Sequence, residues 1–307
     1  MSRVDQSIAA RTLMGEDFFG GWEVSDIELF RQFASQTDPV PGKITDFMGI
    51  RTTTGFHPWA EGYDNTVISE LPLPDDQLRA EAIEYFALFD ALQRAPSDTF
   101  AMAEIGSSYG PWTCAAAVCA ARTGRTDLRL SAVEASSYLF NLIPFHLEEN
   151  GVDRSVVRLI NGACASERAT LYFPKVSSPG DNGGQVASNA ADTDYLNRVV
   201  EHEPVQAYPL TELLPDGIVD LVHMDVQGHE VAVLTPVIES ISQRVRNIFV
   251  GTHSRRIEGE LLDLFHGAGW QLLRERPTRF AYSGDLADVT AWTKRDGGQY
   301  WHNPLIS

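Results

Sequence analysis

The sequence is short of three things, and each shortage removes a class of protein. Basic residues number 24 against 42 acidic ones in 307 residues, a formal net charge of −18. That balance disfavours a nucleic-acid groove or an anionic membrane surface, both of which need clustered positive charge. Cysteine occurs three times, at Cys114, Cys119 and Cys164. Three cannot all pair, and no CxxC or Cys/His ligand spacing occurs, which argues against a disulfide framework or a structural zinc site and for a reducing compartment. Long apolar runs are also absent: the small-residue stretch 114–121 is far below the roughly 20 residues of a membrane span. Residues 1–6 show no basic-then-apolar leader. The expectation is a soluble, cytoplasmic protein with no nucleic-acid partner and no membrane span. What remains, 43% hydrophobic and 21% charged residues, is the composition of an ordinary globular chain large enough to build a core.

Residues 1–74 read as an irregular extension, with Phe18, Phe19, Trp22, Phe30, Phe47, Phe56, Trp59 and Tyr63 spread among Gly, Pro, Asp and Thr. Asp75 and Asp76 then supply a helix start, and Leu78, Ala82, Phe86 and Phe89 recur at helical spacing up to Arg94. Beyond Pro96 short apolar runs alternate with helical stretches, the βαβ pattern of a parallel sheet covered on both faces. Strands are expected at 100–105, 128–133, 156–160, 169–173, 219–224 and 247–250. Helices are expected at 111–123 and 258–268, with Pro144 and Pro236 interrupting two others. Residues 270–275 and 289–292 read as a closing strand pair around Gly284-Asp285. The Ser-, Gly- and Asn-rich stretch 175–194 reads as a mobile loop or lid. The domain expectation is thus an extension over 1–74, serving as an acceptor cover, and an α/β unit over 75–307.

In an open parallel sheet, function gathers at the carboxyl ends of the strands beside the point where strand order reverses. Glu104-Ile105-Gly106-Ser107-Ser108-Tyr109-Gly110 places two glycines at a strand-to-helix turn, where bare backbone approaches a ligand closely. The spacing is not GxGxxG, which disfavours a dinucleotide. Glu104 at the strand end suits a cationic ligand better than a phosphate. Glu134 ends the second strand, where an acid typically accepts hydrogen bonds from ribose hydroxyls. A nucleoside with a positively charged tail, S-adenosylmethionine, meets both demands.

These stretches, with Val133-Glu134-Ala135-Ser136, Asp225-Val226-Gln227-Gly228-His229-Glu230 and Gly251-Thr252-His253-Ser254, resemble the FkbM-type S-adenosylmethionine-dependent methyltransferases. The resemblance runs from about residue 44 onward. It implies a Rossmann-like class I methyltransferase fold, a mostly parallel seven-stranded sheet with helices on both faces, preceded by the N-terminal extension. It further implies that Gly106, Ser107 and Gly110 line the methionine part of the cofactor, with Glu104 near its amino group. Glu134 and Ala135 would meet the ribose, Gly162 and Ala163 would border the adenine, and Asp225 with Gln227 would face the reacting centre. Ser107-Ser108 stands where relatives often carry further glycine or alanine.

Methyl transfer is an in-line displacement that the protein serves by aligning two substrates and excluding water. An alcohol acceptor also gains from a base within about 3 Å of its hydroxyl. Asp225 and His253 end adjacent strands and are the catalytic candidates. His253 is expected to be an accessible, neutral imidazole, and Asp225 to hold the acceptor, contact the cofactor, orient His253 or cap the next helix. His223 reads as a core histidine. Asp225, His229 or Glu230, and His253 match no metal-ligand spacing, so no metal is assigned. Arg51, His57 and Trp59 in the extension, with Gln227, are the acceptor candidates, suited to a sugar, glycoconjugate or secondary metabolite. A non-catalytic S-adenosylmethionine-binding scaffold and a nucleotide-dependent oxidoreductase are the competing readings. Nothing in the sequence sets the oligomeric state.

Overall fold

A computed structural model of the chain describes residues 20–181, 183–190, 193–194, 196–286 and 288–306. The first nineteen residues of the extension, with Phe18 and Phe19, lie outside the described residues, as do 182, 191 and 192 of the 175–194 stretch. The chain opens with α1 (Asp26–Phe33) and three short strands, β1 (Lys43–Thr45), β2 (Arg51–Thr53) and β3 (Thr66–Val67). Then follow α2 (Ala82–Arg94), β4 (Thr99–Ile105), α3 (Pro111–Arg122), β5 (Asp127–Glu134), α4 (Ser137–Phe140), α5 (Ile143–Glu149) and β6 (Val157–Asn161). The second half comprises β7 (Ala163–Ala165), β8 (Ala169–Pro174), β9 (His202–Pro209), α6 (Leu210–Leu213), β10 (Leu221–Met224), α7 (Glu230–Leu234) and α8 (Ile238–Ile241). It closes with β11 (Asn247–Thr252), α9 (Arg255–Gly267), β12 (Gln271–Arg276), β13 (Arg279–Phe280), β14 (Thr293–Arg295) and β15 (Gly297–His302).

The central strands are buried throughout: every residue of β10 and β11, and of β4 after Thr99. Burial on both faces is why they read as unbroken apolar runs rather than alternating ones. The seven-stranded sheet has the order β12-β15-β11-β10-β4-β5-β6. All neighbours are parallel except β15, which runs antiparallel to β11 and β12. This is the class I methyltransferase fold, and strand order reverses between β4 and β10. No helix among the described residues is long and apolar enough to cross a membrane.

Several element expectations are corrected. The docking helix begins at Ala82, because Glu81 and Glu84 form a capping box there. Asp76 instead accepts the N–H groups of Leu78, Arg79 and Ala80 in the turn before it. Residues 289–292 form a short 3-10 turn capped by Asp288, and the strand that pairs with β12 is β15. That strand escaped the sequence because it opens with Gly297-Gly298. A Cβ at 297 would meet Arg276 O at 2.5 Å, and one at 298 the Phe249 ring at 2.7 Å. The described part of the extension, residues 20–74, carries α1 and three short strands where an irregular segment was expected. Phe33 stacks on Phe89 of α2 at 4.3 Å and Phe30 meets the same ring edge-on at 5.4 Å. Trp22, Phe30, Phe47 and Met48 share one core with α2 and α3.

Candidate functional site

A cavity of about 400 Å³ opens at the carboxyl ends of β4, β5 and β10, beside the reversal of strand order. Among the described residues five carboxyl groups line it, Glu84, Glu104, Glu134, Asp225 and Asp296, against one guanidinium, Arg79.

The turn after β4 is shaped by its neighbours. Gly106 sits at φ +80°, and a Cβ there would lie 1.9 Å from the Asp225 carbonyl oxygen. Its lack of a side chain thus admits the β10 backbone, a requirement distinct from the ligand clearance expected of it. Gly110, at φ +79°, is not among the cavity-lining residues, and a Cβ there would lie 2.9 Å from Ile143 Cγ2. Gly106 N and Ser107 N both donate to Val133 O, at 3.0 and 2.9 Å. Ser107 and Ser108 reach the cavity wall, and their hydroxyls are buried without a partner. Glu104 lines the cavity, and its two oxygens accept the N–H groups of Trp112 and Thr113 and the Thr113 hydroxyl. It therefore serves the N-terminus of α3 as a counter-charge. Burial pushes its carboxyl up, while His223 and these hydrogen bonds pull it down, with a net rise.

Glu134 is buried at the end of β5. Its Oε2 accepts from Ser108 N and its Oε1 from Ser136 N, each at 2.7 Å. Burial pushes this carboxyl up to about 7, against the pull of those N–H groups and with a further push from Glu104. Ala135, Gly162 and Ala163 continue the same wall.

Asp225, 40% exposed, opens onto the cavity from the end of β10. It heads a row of three side chains, with His253 and Glu230 behind it. Its Oδ1 lies 3.2 Å from His253 Nε2, outside hydrogen-bond alignment, and His253 Nδ1 lies 2.8 Å from Glu230 Oε1. Burial opposes the charge on His253, yet Glu230 and Asp225 together raise its pKa well above the ordinary value. Burial likewise opposes ionisation of Asp225, but His253 holds it below the usual carboxylate range. The expectation of an accessible, neutral His253 is corrected: it is 2% exposed and does not reach the cavity wall. The physical reason is local, since Thr252 and Ser254 beside it are also buried where Ser254 caps α9. Each ring nitrogen faces a carboxylate oxygen, and one atom each of Asp225, Glu230 and His253 lies within 4.8 Å of the others. Gln227 sits in the wall and donates from Nε2 to Asp225 Oδ1 at 2.9 Å.

Two of the three acceptor candidates from the extension reach the cavity. His57 is buried against the Tyr109 hydroxyl at 3.0 Å, and burial lowers its pKa to about 4. Trp59 is 54% exposed at the rim, its Nε1 donating to Leu78 O. Arg51 is corrected: it is exposed on β2, away from the cavity, and its backbone pairs with the Asn150 side chain. The described part of 175–194 lies against the site. Val186 is in the wall, Gly184 packs on the Phe173 ring, and Gln185 Nε2 donates to Gln227 O at 2.7 Å.

Sequence reasoning missed Arg79, Glu84, Trp112 and Phe173, and read His223 as core. Arg79 bonds Asp46 at 2.6 Å and faces the Tyr85 and Trp112 rings at 5.9 Å. No motif marks it. For His223 the alternation with Asp225 along β10 was the available signal.

The sequence profile of the methyltransferase FkbM domain matches residues 102–277. A candidate methyltransferase of Jannaschia sp. (strain CCS1) is 26% identical over 240 residues, covering 77% of this chain and 85% of the relative. Among solved structures, an FkbM methyltransferase from Methylobacillus flagellatus KT aligns at TM-score 0.41 and 14% identity. It covers 71% of this chain and about half, 53%, of that one. A precorrin-6y C5,15-methyltransferase from Geobacter metallireducens GS-15 aligns at TM-score 0.38 and 11% identity, over 72% and 87% of the two chains. At such scores the fold rests on the strand order itself.

Proposed function

The chain belongs to the methyltransferase FkbM domain family and is a methyltransferase, and from that premise we propose that it uses S-adenosylmethionine to methylate a hydroxyl of a sugar, glycoconjugate or secondary metabolite. The observation that carries this reading is the make-up of the cavity wall: among the described residues five carboxyl groups, Asp225 held ionised, meet a single, already paired guanidinium at the reversal of strand order, and a cationic ligand would draw out the charge that burial suppresses on the others. Such a wall favours a ligand bearing a sulfonium and an ammonium and repels a pyrophosphate. The partnerless buried hydroxyls of Ser107 and Ser108 are polar groups that a ligand in this cavity would satisfy.

In this reading Glu134 takes the ribose hydroxyls on the lone pairs its two backbone contacts leave open. Gly162, Ala163 and Phe173 flank the adenine, and Asp225 faces the methionine part. When bound, S-adenosylmethionine supplies a methyl carbon activated by positively charged sulfur. The protein's work is then alignment and exclusion of water. The Glu230–His253–Asp225 row keeps Asp225 ionised and oriented. His57, Tyr109 and the exposed indole of Trp59 offer a polar and aromatic rim to the acceptor, and the net charge of −18 disfavours a polyanion such as nucleic acid. The buried free cysteines suit a reducing compartment such as the cytoplasm.

The test is calorimetry with S-adenosylhomocysteine and with NAD on the full chain, followed by turnover of S-adenosylmethionine with a panel of methyl glycosides. Tighter binding of NAD would overturn the cofactor reading.

A further inference from the structure

Glu84 and His223 form a pair that the cofactor wall and the Asp225 row do not use. Glu84 is the third residue of α2, where its Oε1 accepts the backbone N–H of Glu81. Its Oε2 lies 3.2 Å from His223 Nε2 on β10, and both residues line the cavity. The imidazole is held in place between the Trp112 ring at 5.1 Å and the Phe249 ring at 4.7 Å, with its Nδ1 buried and partnerless. The surroundings leave Glu84 no free cation. Glu81, Asp76, Asp225 and Asp296 are acidic, Arg79 is bonded to Asp46, and Arg276 is paired with Glu81. Asp225 is a poor proton acceptor because His253 holds it ionised, and His253 is charged and away from the cavity wall.

Resting on the methyl-transfer reading above, we propose that Glu84, steered by His223, takes the proton of the acceptor hydroxyl. A lone pair of the acceptor oxygen forms the new C–O bond. The C–S bond breaks with its electron pair staying on sulfur, and the O–H proton passes to the Glu84 carboxylate. The positive charge lost at sulfur is balanced by the negative charge lost at Glu84, so the buried site ends neutral. Burial pushes Glu84 up to about 8 and His223 down to about 4. A base poised this near working pH is well matched to the task, and the 3.2 Å contact lets the imidazole report on its protonation. The carboxylate form grows as pH rises through that value, so turnover rises with it.

The test uses the full chain loaded with S-adenosylhomocysteine, with histidines labelled for nitrogen NMR. His223 should stay neutral near neutral pH and its ring signals should move with a midpoint near 8, a response lost in Glu84→Gln. Glutamine keeps the capping box, so folding and S-adenosylhomocysteine affinity should be retained in that variant. With a methyl glycoside turned over by the wild type, Glu84→Gln should lower kcat by about 10²–10⁴-fold and flatten its pH profile. His223→Asn should move the midpoint of that profile without changing cofactor affinity. An imidazole titrating at the ordinary histidine value, or Glu84→Gln turning over like wild type, would overturn the base. Failure of the wild type to bind S-adenosylhomocysteine would overturn the functional reading instead.

Discussion

A Cβ on residue 106 would stand 1.9 Å from the carbonyl oxygen of Asp225, so the ends of β4 and β10 meet across a single missing side chain. Asp225 N also bonds Ile105 O at 2.9 Å, which ties the two strand ends together. Position 106 therefore couples the turn after β4 to the carboxylate that opens onto the cavity.

Gly106→Ala should be among the most damaging small substitutions in the chain. It combines a positive φ with a collision against backbone, which no side-chain rotation relieves. A loss of about 2–4 kcal/mol is expected, read by urea denaturation, together with loss of S-adenosylhomocysteine binding in calorimetry. Wild-type stability would show that the two strand ends separate easily.

Glu134 should make cofactor binding depend on pH. Its pKa, raised to about 7 by burial, means that ionising it costs the free protein stability as pH climbs from the ordinary carboxylate range. A positively charged ligand offsets that cost. Affinity for S-adenosylmethionine should improve as pH rises through about 7, and more steeply than affinity for the uncharged-sulfur product. Glu134→Ala should remove about 1.5–3 kcal/mol, a weakening of about 10- to 150-fold. A dissociation constant indifferent to both pH and the substitution would refute the ribose role.

His253 should stabilise the fold until alkaline pH. Its folded pKa lies well above the ordinary value, so the pairing contribution is complete below the unfolded value and is lost as pH rises through the folded one. His253→Asn should cost about 3–5 kcal/mol near neutrality, because Glu230 is left buried and unpaired, and should abolish the alkaline decline in Tm. Turnover should fall while cofactor affinity is kept. Parallel Tm curves for the two proteins would rule out the charged row.

Arg79 lines the cavity and is held from behind by two acids outside its wall. It bonds Asp46 and lies 3.7 Å from Asp76, both mostly buried. Arg79→Met should destabilise by about 3–5 kcal/mol through the acids it leaves unpaired, and mild acid should restore part of the loss. Denaturant midpoints measured across pH would expose a variant that lacks this recovery.

Much of the fold was legible because parallel strands buried on both faces leave continuous apolar runs, and Gly106, Glu134 and Asp225 sit where such runs end. Pro144 and Pro236 marked their breaks for the same local reason. Where the missing N–H forbids a continuous helix, α4 stops at Phe140 and α5 starts at Ile143, while 235–237 tightens into a 3-10 turn. β15 and the pairing of β12 were hidden, since two glycines demanded by Arg276 and Phe249 erase a strand's usual signal.

Local chemistry thus fixed the element order, the acidic strand ends and the glycine turn, because each depends on neighbours within a few residues. Tertiary structure alone decided which groups titrate. Glu84 and His223 are 139 residues apart in the chain yet 3.2 Å apart in space, and His253 is charged because Glu230 and Asp225 close on it from two sides. Burial and charge pairing are sums over everything nearby, and only the folded chain says what is near.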